Sequence, residues 1–186
     1  MSAGFFSALM GQGVLHCTEY LKDSNNPVFF IDENHWKTIQ NKSLGYKGEG
    51  YFCNKWAYSN QPNSKRTSAN ALQYWKAASN SKYNKFLFAK EPTPFIELWD
   101  HFRKGKYCEK GQPVVKLFPQ FGALQAYLLA SDYVIAGLAT MPTDAEMAMV
   151  ITTINSGGIK GFEPRKPVLD GTTSSSALVF SYESAE

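Results

Sequence analysis

Along most of the chain, apolar residues recur at helical rather than strand spacing. Residues 5–10 and 14–21 form two apolar segments that read as helices, with Gly11 and Gly13 weakening the join between them. The run 28–31 follows the turn signal of Asn25, Asn26 and Pro27 and predicts a short strand. Asp32 then offers a carboxylate to the unpaired N–H groups of a helix running to Gln40, and Glu33 is favourable at its positive end. Over residues 41–66 the periodicity is lost. Gly45, Gly48, Gly50 and Pro62 lie scattered among Tyr46, Tyr51, Phe52, Trp56 and Tyr58, which predicts a loop or irregular hairpin turning near 47–50 and packing over the core.

Helical spacing returns at residues 69–78, with Ser68 as cap and Ala69, Leu72 and Trp75 on one stripe. The alternating segment 85–90, KFLFAK, predicts a strand. Thr93 places a capping hydroxyl before Pro94, whose missing N–H costs nothing in a first turn, so a helix over 94–104 should bury Phe95, Leu98, Trp99 and Phe102. A basic loop over 103–112 leads to a long apolar helix at 119–138. Thr143 and Glu146 then form a capping box for a helix with Met147, Val150, Ile151 and Ile154 on its buried side, ended by Gly157. The connection over 139–143 is short enough to make these two helices packed neighbours. Residues 159–186 form a tail or hairpin, turning at Asp170 and Gly171, packed on the same domain.

These elements define a mainly α fold, a single domain over 1–186 with a few short strands; α+β is the nearest alternative. Composition agrees, because 44% hydrophobic and 19% charged residues lie in the ordinary globular range. Residues 1–20 lack the basic start, apolar run and small-residue cleavage pattern of a signal peptide. The longest apolar stretch, 121–138, is interrupted by Gln125, Ser131 and Asp132, so no membrane partner is expected. Cys17, Cys53 and Cys108 are an odd, widely spaced set that suits a reducing compartment, and the expected location is intracellular, cytoplasmic or nuclear.

Charge changes the picture more than composition does. Residues 37–116 carry fifteen Lys or Arg against five Asp or Glu, whereas the rest of the chain is acidic. This asymmetry points to a polyanion, nucleic acid first, provided the fold gathers the cations on one surface. Two stretches carry the expectation. Lys65 and Arg66 precede the Ser68-capped helix, where N–H groups and helix dipole could complete a phosphate cradle. Arg103, Lys104, Lys106, Lys110 and Lys116 could track a backbone while Tyr107 stacks a base.

Other chemistry finds less support. The helix pair at 121–155 resembles a helix–turn–helix in outline only, because its second member opens with acids and holds no basic residue to meet base edges or phosphates. His16, His35, His101 and the cysteines show no metal-ligand spacing, no nucleophile motif is present, and the glycines form no phosphate loop. No metal, cofactor or catalytic residue is therefore assigned, and the expected function is non-enzymatic. Asp132 stands out as an acid in a helix apolar on most sides, which predicts a costly placement needing a partner. Two alternatives remain open: a structural or self-associating protein with an aromatic and apolar interface, and a small-molecule or sugar pocket using Trp56, Trp75 and Asp132.

Overall fold

The computed structural model describes residues 1–52, 64–108, 111 and 113–155; for Glu49 and residues 64–69 the description is of the backbone alone. Among these residues there are eight α-helices and one two-stranded ribbon, so the fold is mainly α with few short strands. Met1–Ile154 form one compact unit. Residues 156–186, with the expected Gly157 helix end and the hairpin at Asp170 and Gly171, lie outside the described residues, as do Cys53 and Trp56.

Helix α1 (Ser2–Met10) continues directly into one wide π turn (Gly11–Leu15), because Gly11 keeps right-handed helical angles; the glycines widen the helix rather than break it. A single turn, α2 (Glu19–Lys22), follows. No strand forms at 28–31, contrary to the sequence pattern. The Phe30 N–H donates to Ser7 Oγ at 2.8 Å, so this backbone is satisfied by α1 instead of a neighbouring strand. Phe30 is fully buried while Val28, Phe29 and Ile31 stay exposed. Helix α3 (Glu33–Lys47) starts where expected, with the Asp32 carboxylate accepting from the His35 N–H at 2.8 Å. It runs past Gln40 and absorbs part of the glycine-scattered region. Gly48, at φ +72°, ends it in a conformation that suits glycine, and a 3₁₀ turn (Glu49–Phe52) brings Tyr51 and Phe52 back toward α2.

Helix α4 (Ser64–Ser79) begins earlier than Ser68, and its buried stripe is Asn70, Ala71, Tyr74, Ala77 and Ala78. Leu72 is exposed and Trp75 half-buried, so the expected stripe is rotated. The KFLFAK segment is also corrected. It forms a 3₁₀ turn (Lys85–Phe88) after the one-turn helix α5 (Ser81–Asn84), and adjacent Phe86 and Leu87 both face inward, which strand alternation forbids. Helix α6 (Phe95–Lys104) buries Phe95, Leu98, Trp99 and Phe102 as its pattern requires. Its Phe95 N–H reaches Thr140 Oγ1 at 3.4 Å, whereas Thr93 pairs its backbone with residues 138 and 140.

After α6 come β1 (Lys106–Tyr107) and β2 (Val115–Lys116), then α7 (Ala123–Ile135) and α8 (Asp144–Ile154), which pack on each other. The Thr143 and Glu146 capping box is present: the Thr143 N–H donates to Glu146 Oε2 at 2.7 Å and the Glu146 N–H to Thr143 Oγ1 at 3.3 Å. Of the four residues expected on the buried side of α8, Val150 is fully buried, Met147 and Ile154 are half-buried, and Ile151 is exposed.

The buried residues form one hydrophobic core, within which the ring contacts fall into two groups that meet at the adjacent Phe5 and Phe6 of α1. Phe5 packs edge-on against Phe86 at 5.2 Å and touches Phe102, Phe118 and Tyr133. Phe6, next in sequence and about 100° around the helix, points to the other group through Phe30 and Trp75. There Trp36 contacts Tyr20, Phe30 and Phe52. Each such ring contributes about 1.5–3 kcal/mol by leaving water.

Candidate anion-binding surface

The basic segment is organised by the way α6 ends. Gly105 donates its N–H to the His101 carbonyl at 3.0 Å and accepts the Leu117 N–H at 2.8 Å, which ties the returning chain to the helix end. A Cβ at this position would lie 2.5 Å from the His101 oxygen and 3.2 Å from Leu117 Cδ2, so only glycine permits the approach. That contact sets the register of the ribbon: Lys106 stands opposite Lys116, and Tyr107 opposite Val115. Like charges directly opposed on antiparallel strands repel, and nothing in the ribbon itself compensates.

Arg103, Lys104, Lys106 and Lys116, with Val114 and Val115, line one cleft of about 370 Å³. Asp100 is the counter-charge nearest these groups: Arg103 Nη2 donates to its Oδ1 at 2.9 Å and Lys104 Nζ to its Oδ2 at 2.8 Å. Burial pushes the Asp100 carboxyl up, but the hydrogen bonds and charges of Lys104 and Arg103 outweigh it and hold the group below its ordinary range. The Arg103 guanidinium also lies 4.0 Å from the Trp99 ring centroid, a cation–π contact that holds it in place without a counter-ion. Lys116 donates to the Phe121 carbonyl, and desolvation lowers its ammonium from the usual lysine value. Among the described residues, no carboxylate pairs with Lys106 or Lys116. Four cationic residues therefore converge on one cleft, their backbones set by the ribbon pairing and the end of α6.

Tyr107 does not join this group as expected. Its ring is 7% exposed, packs 5.4 Å from Tyr83 and lies beneath the Lys76 ammonium, so it has no open face for a base. With Lys76, Ser79, Asn80 and Ser81 it lines a second, shallow cleft of about 450 Å³. Lys76 had no local signal marking it, since only tertiary packing of α4 brings it to Tyr107.

Lys65 and Arg66 lie inside the first turn of α4, not ahead of its start, and their side chains are outside the described residues; Lys110 and Trp56 are outside altogether. Trp75 packs edge-on against Phe6 at 5.4 Å and serves the core. Asp132 corrects its expected placement: it is exposed, and its Oδ2 accepts from Gln12 Nε2 at 3.3 Å. The helix that looks apolar on most sides turns that carboxylate to water. Cys17 and Cys108 are exposed, and among the described residues no three His, Cys, Asp or Glu side chains converge as metal ligands.

No family model matches the chain, and no curated protein or solved structure matches it. No helix among the described residues is long and apolar enough to cross a membrane.

Proposed function

We propose that this protein binds an anionic polymer, with nucleic acid as the first class to test, through the cleft at the end of α6. The observation that carries the reading is the cross-strand pair of Lys106 and Lys116, beside Arg103 and Lys104. A ribbon that pairs Lys106 with Lys116 opposes like charges, even with the Lys116 ammonium bonded to the Phe121 carbonyl, and an anion in the cleft would offset that repulsion. Binding would use backbone charge rather than base identity, since Tyr107 is covered and no base-reading helix enters the arrangement. Four cations less the Asp100 charge correspond to a slope of about −3 in log affinity against log salt on duplex DNA.

The test is retention of a duplex oligonucleotide and of heparin across a salt series, with Lys106→Glu as the diagnostic variant. Reversing Lys106 should weaken binding and flatten the salt slope by about one. The same change should raise stability by about 0.2–1 kcal/mol, because it replaces a repulsive cross-strand pair with an attractive one. Affinity and stability moving in opposite directions is the signature. Unchanged retention in Lys106→Glu removes the reading.

A second reading, self-association, is supported by apolar side chains on α7, α8 and their connection: Ile135 is 86% exposed, Met141 76% and Ile151 50%. Molecular mass measured in the binding buffer over a range of protein concentrations separates the two readings.

A further inference from the structure

A second cleft, of about 400 Å³, lies between the turn at residues 23–27 and the C-terminal half of α3, on residues the anion-binding surface does not use. Its polar groups are held in place. The Tyr51 hydroxyl donates to Asp23 Oδ2 at 3.4 Å and accepts from Asn26 Nδ2 at 2.6 Å, while the Asn25 N–H donates to Asp23 Oδ1 at 3.1 Å. The facing wall is one side of α3, where Ile39, Lys42, Ser43 and Tyr46 recur at helical spacing. Tyr46 is 82% exposed, the most open of the described tyrosines, and its ring leaves a flat apolar face at the rim of a cleft that mixes hydrogen-bonding groups with the apolar Pro27 and Ile39.

That combination fits a particular ligand chemistry. A pyranose presents apolar C–H groups on one face, which pack on an open tyrosine ring, and hydroxyls at its edge, which need fixed donors and acceptors. Asp23, Asn25 and Ser43 supply these around the cleft, and the side chains of Asn25 and Ser43 make no hydrogen bond among the described residues. Lys42 and Lys47 also line the cleft, and no carboxylate pairs with either among the described residues. Two ammoniums with no carboxylate partner among the described residues, Lys47 lying over the Tyr51 ring, stand against the single Asp23 carboxylate of the lining; they favour a ligand carrying an acidic group and disfavour an amine. A polyhydroxylated ring uses the dispersed polar side chains better than a flat heterocycle would.

We propose that this cleft is a saccharide-binding site for a sugar unit bearing a carboxylate, such as a uronic acid, with Tyr46 as the stacking platform and Lys42 and Lys47 as partners of the acid. The proposal is independent of the anion-binding surface.

The full chain is titrated with D-glucuronate, D-galacturonate and their short oligomers, against D-glucose, D-galactose and adenosine monophosphate, followed by protein-observed NMR. The uronates should shift the resonances of Tyr46 and Tyr51 and bind more tightly than the neutral sugars. Tyr46→Ala, at a position exposed enough to leave the fold intact, should weaken uronate binding by about tenfold or more; Lys42→Ala should erase the preference for the acid. Lys106→Glu should change neither. The proposal fails if no sugar perturbs Tyr46 at about 50 mM, if uronate binding is unchanged in Tyr46→Ala, or if it is lost in Lys106→Glu. Neutral sugars binding as well as uronates would overturn the acidic class, and tighter binding of the nucleotide would overturn the saccharide assignment.

Discussion

At the scale of single residues, His101 shows how one ring couples packing to pH. It sits half-buried on α6, with Phe118 5.2 Å and Phe86 5.7 Å from its centroid, and its Nε2 lies 2.9 Å from the Tyr83 carbonyl. Desolvation lowers its affinity for a proton, the bond to Tyr83 opposes this, and the Lys85 charge adds to the lowering; the net shift is downward from 6.5. The unfolded chain thus takes up a proton near its ordinary value while the folded chain still resists. Stability therefore falls as pH drops through about 6.5 and levels off once the folded ring is also protonated. Asp100 acts in a different window. Its carboxyl is held low in the folded state, so its contribution is present above the ordinary carboxylate range and disappears only in more acid solution. Urea unfolding at pH 7.5 and 5.5 should show the first loss, and His101→Gln, whose amide can still donate to Tyr83, should lack it. An equal pH response in the variant would assign the loss elsewhere.

At the scale of elements, what could be read from the sequence was what neighbouring residues decide. The α8 start is local: Thr143 and Glu146 satisfy each other's backbone N–H groups whatever the rest of the chain does. Because α8 fully buries only Val150, its cap matters locally more than globally. Thr143→Ala should cost about 1 kcal/mol, seen as faster amide exchange along α8 with little change in α6. An equal loss of protection in both helices would mean that α8 is part of the cooperative core. The α6 stripe was legible for the same reason, four large apolar residues on one face. Short apolar runs were not. Residues 28–31 and 85–90 have strand-like composition, yet Ser7 Oγ takes the Phe30 N–H in one, and Phe86 and Leu87 pack inward from a tight turn in the other. The basic segment was visible as charge, but its key pairing was not, since the opposition of Lys106 and Lys116 depends on Gly105 and Leu117 meeting in space. Asp132 failed in the other direction: a helix apolar in composition still has an outer face, and its sequence did not show which face that was.

At the scale of the whole molecule, Phe102 is the side chain on which most elements converge. It is fully buried, and rings from four separate segments surround it: Phe5 of α1, Phe86 of the 3₁₀ turn, Phe118 and Phe121 ahead of α7, and Tyr133 within α7. Removing it leaves a cavity that no single element can close, because each wall is anchored elsewhere. Phe102→Ala should therefore cost about 3–5 kcal/mol. The position of α1 determines how that loss spreads. Phe5 belongs to the ring group around Phe102 and Phe6 to the one around Trp36, so a shift of α1 into the cavity disturbs both. Amides of α3, which carries Trp36, should lose protection together with those of α6 in Phe102→Ala, although no ring of α3 touches Phe102 among the described residues. If α6 loosened while α3 kept its protection, the two ring groups would be separate cooperative units, and α1 would join them in space without coupling them in energy.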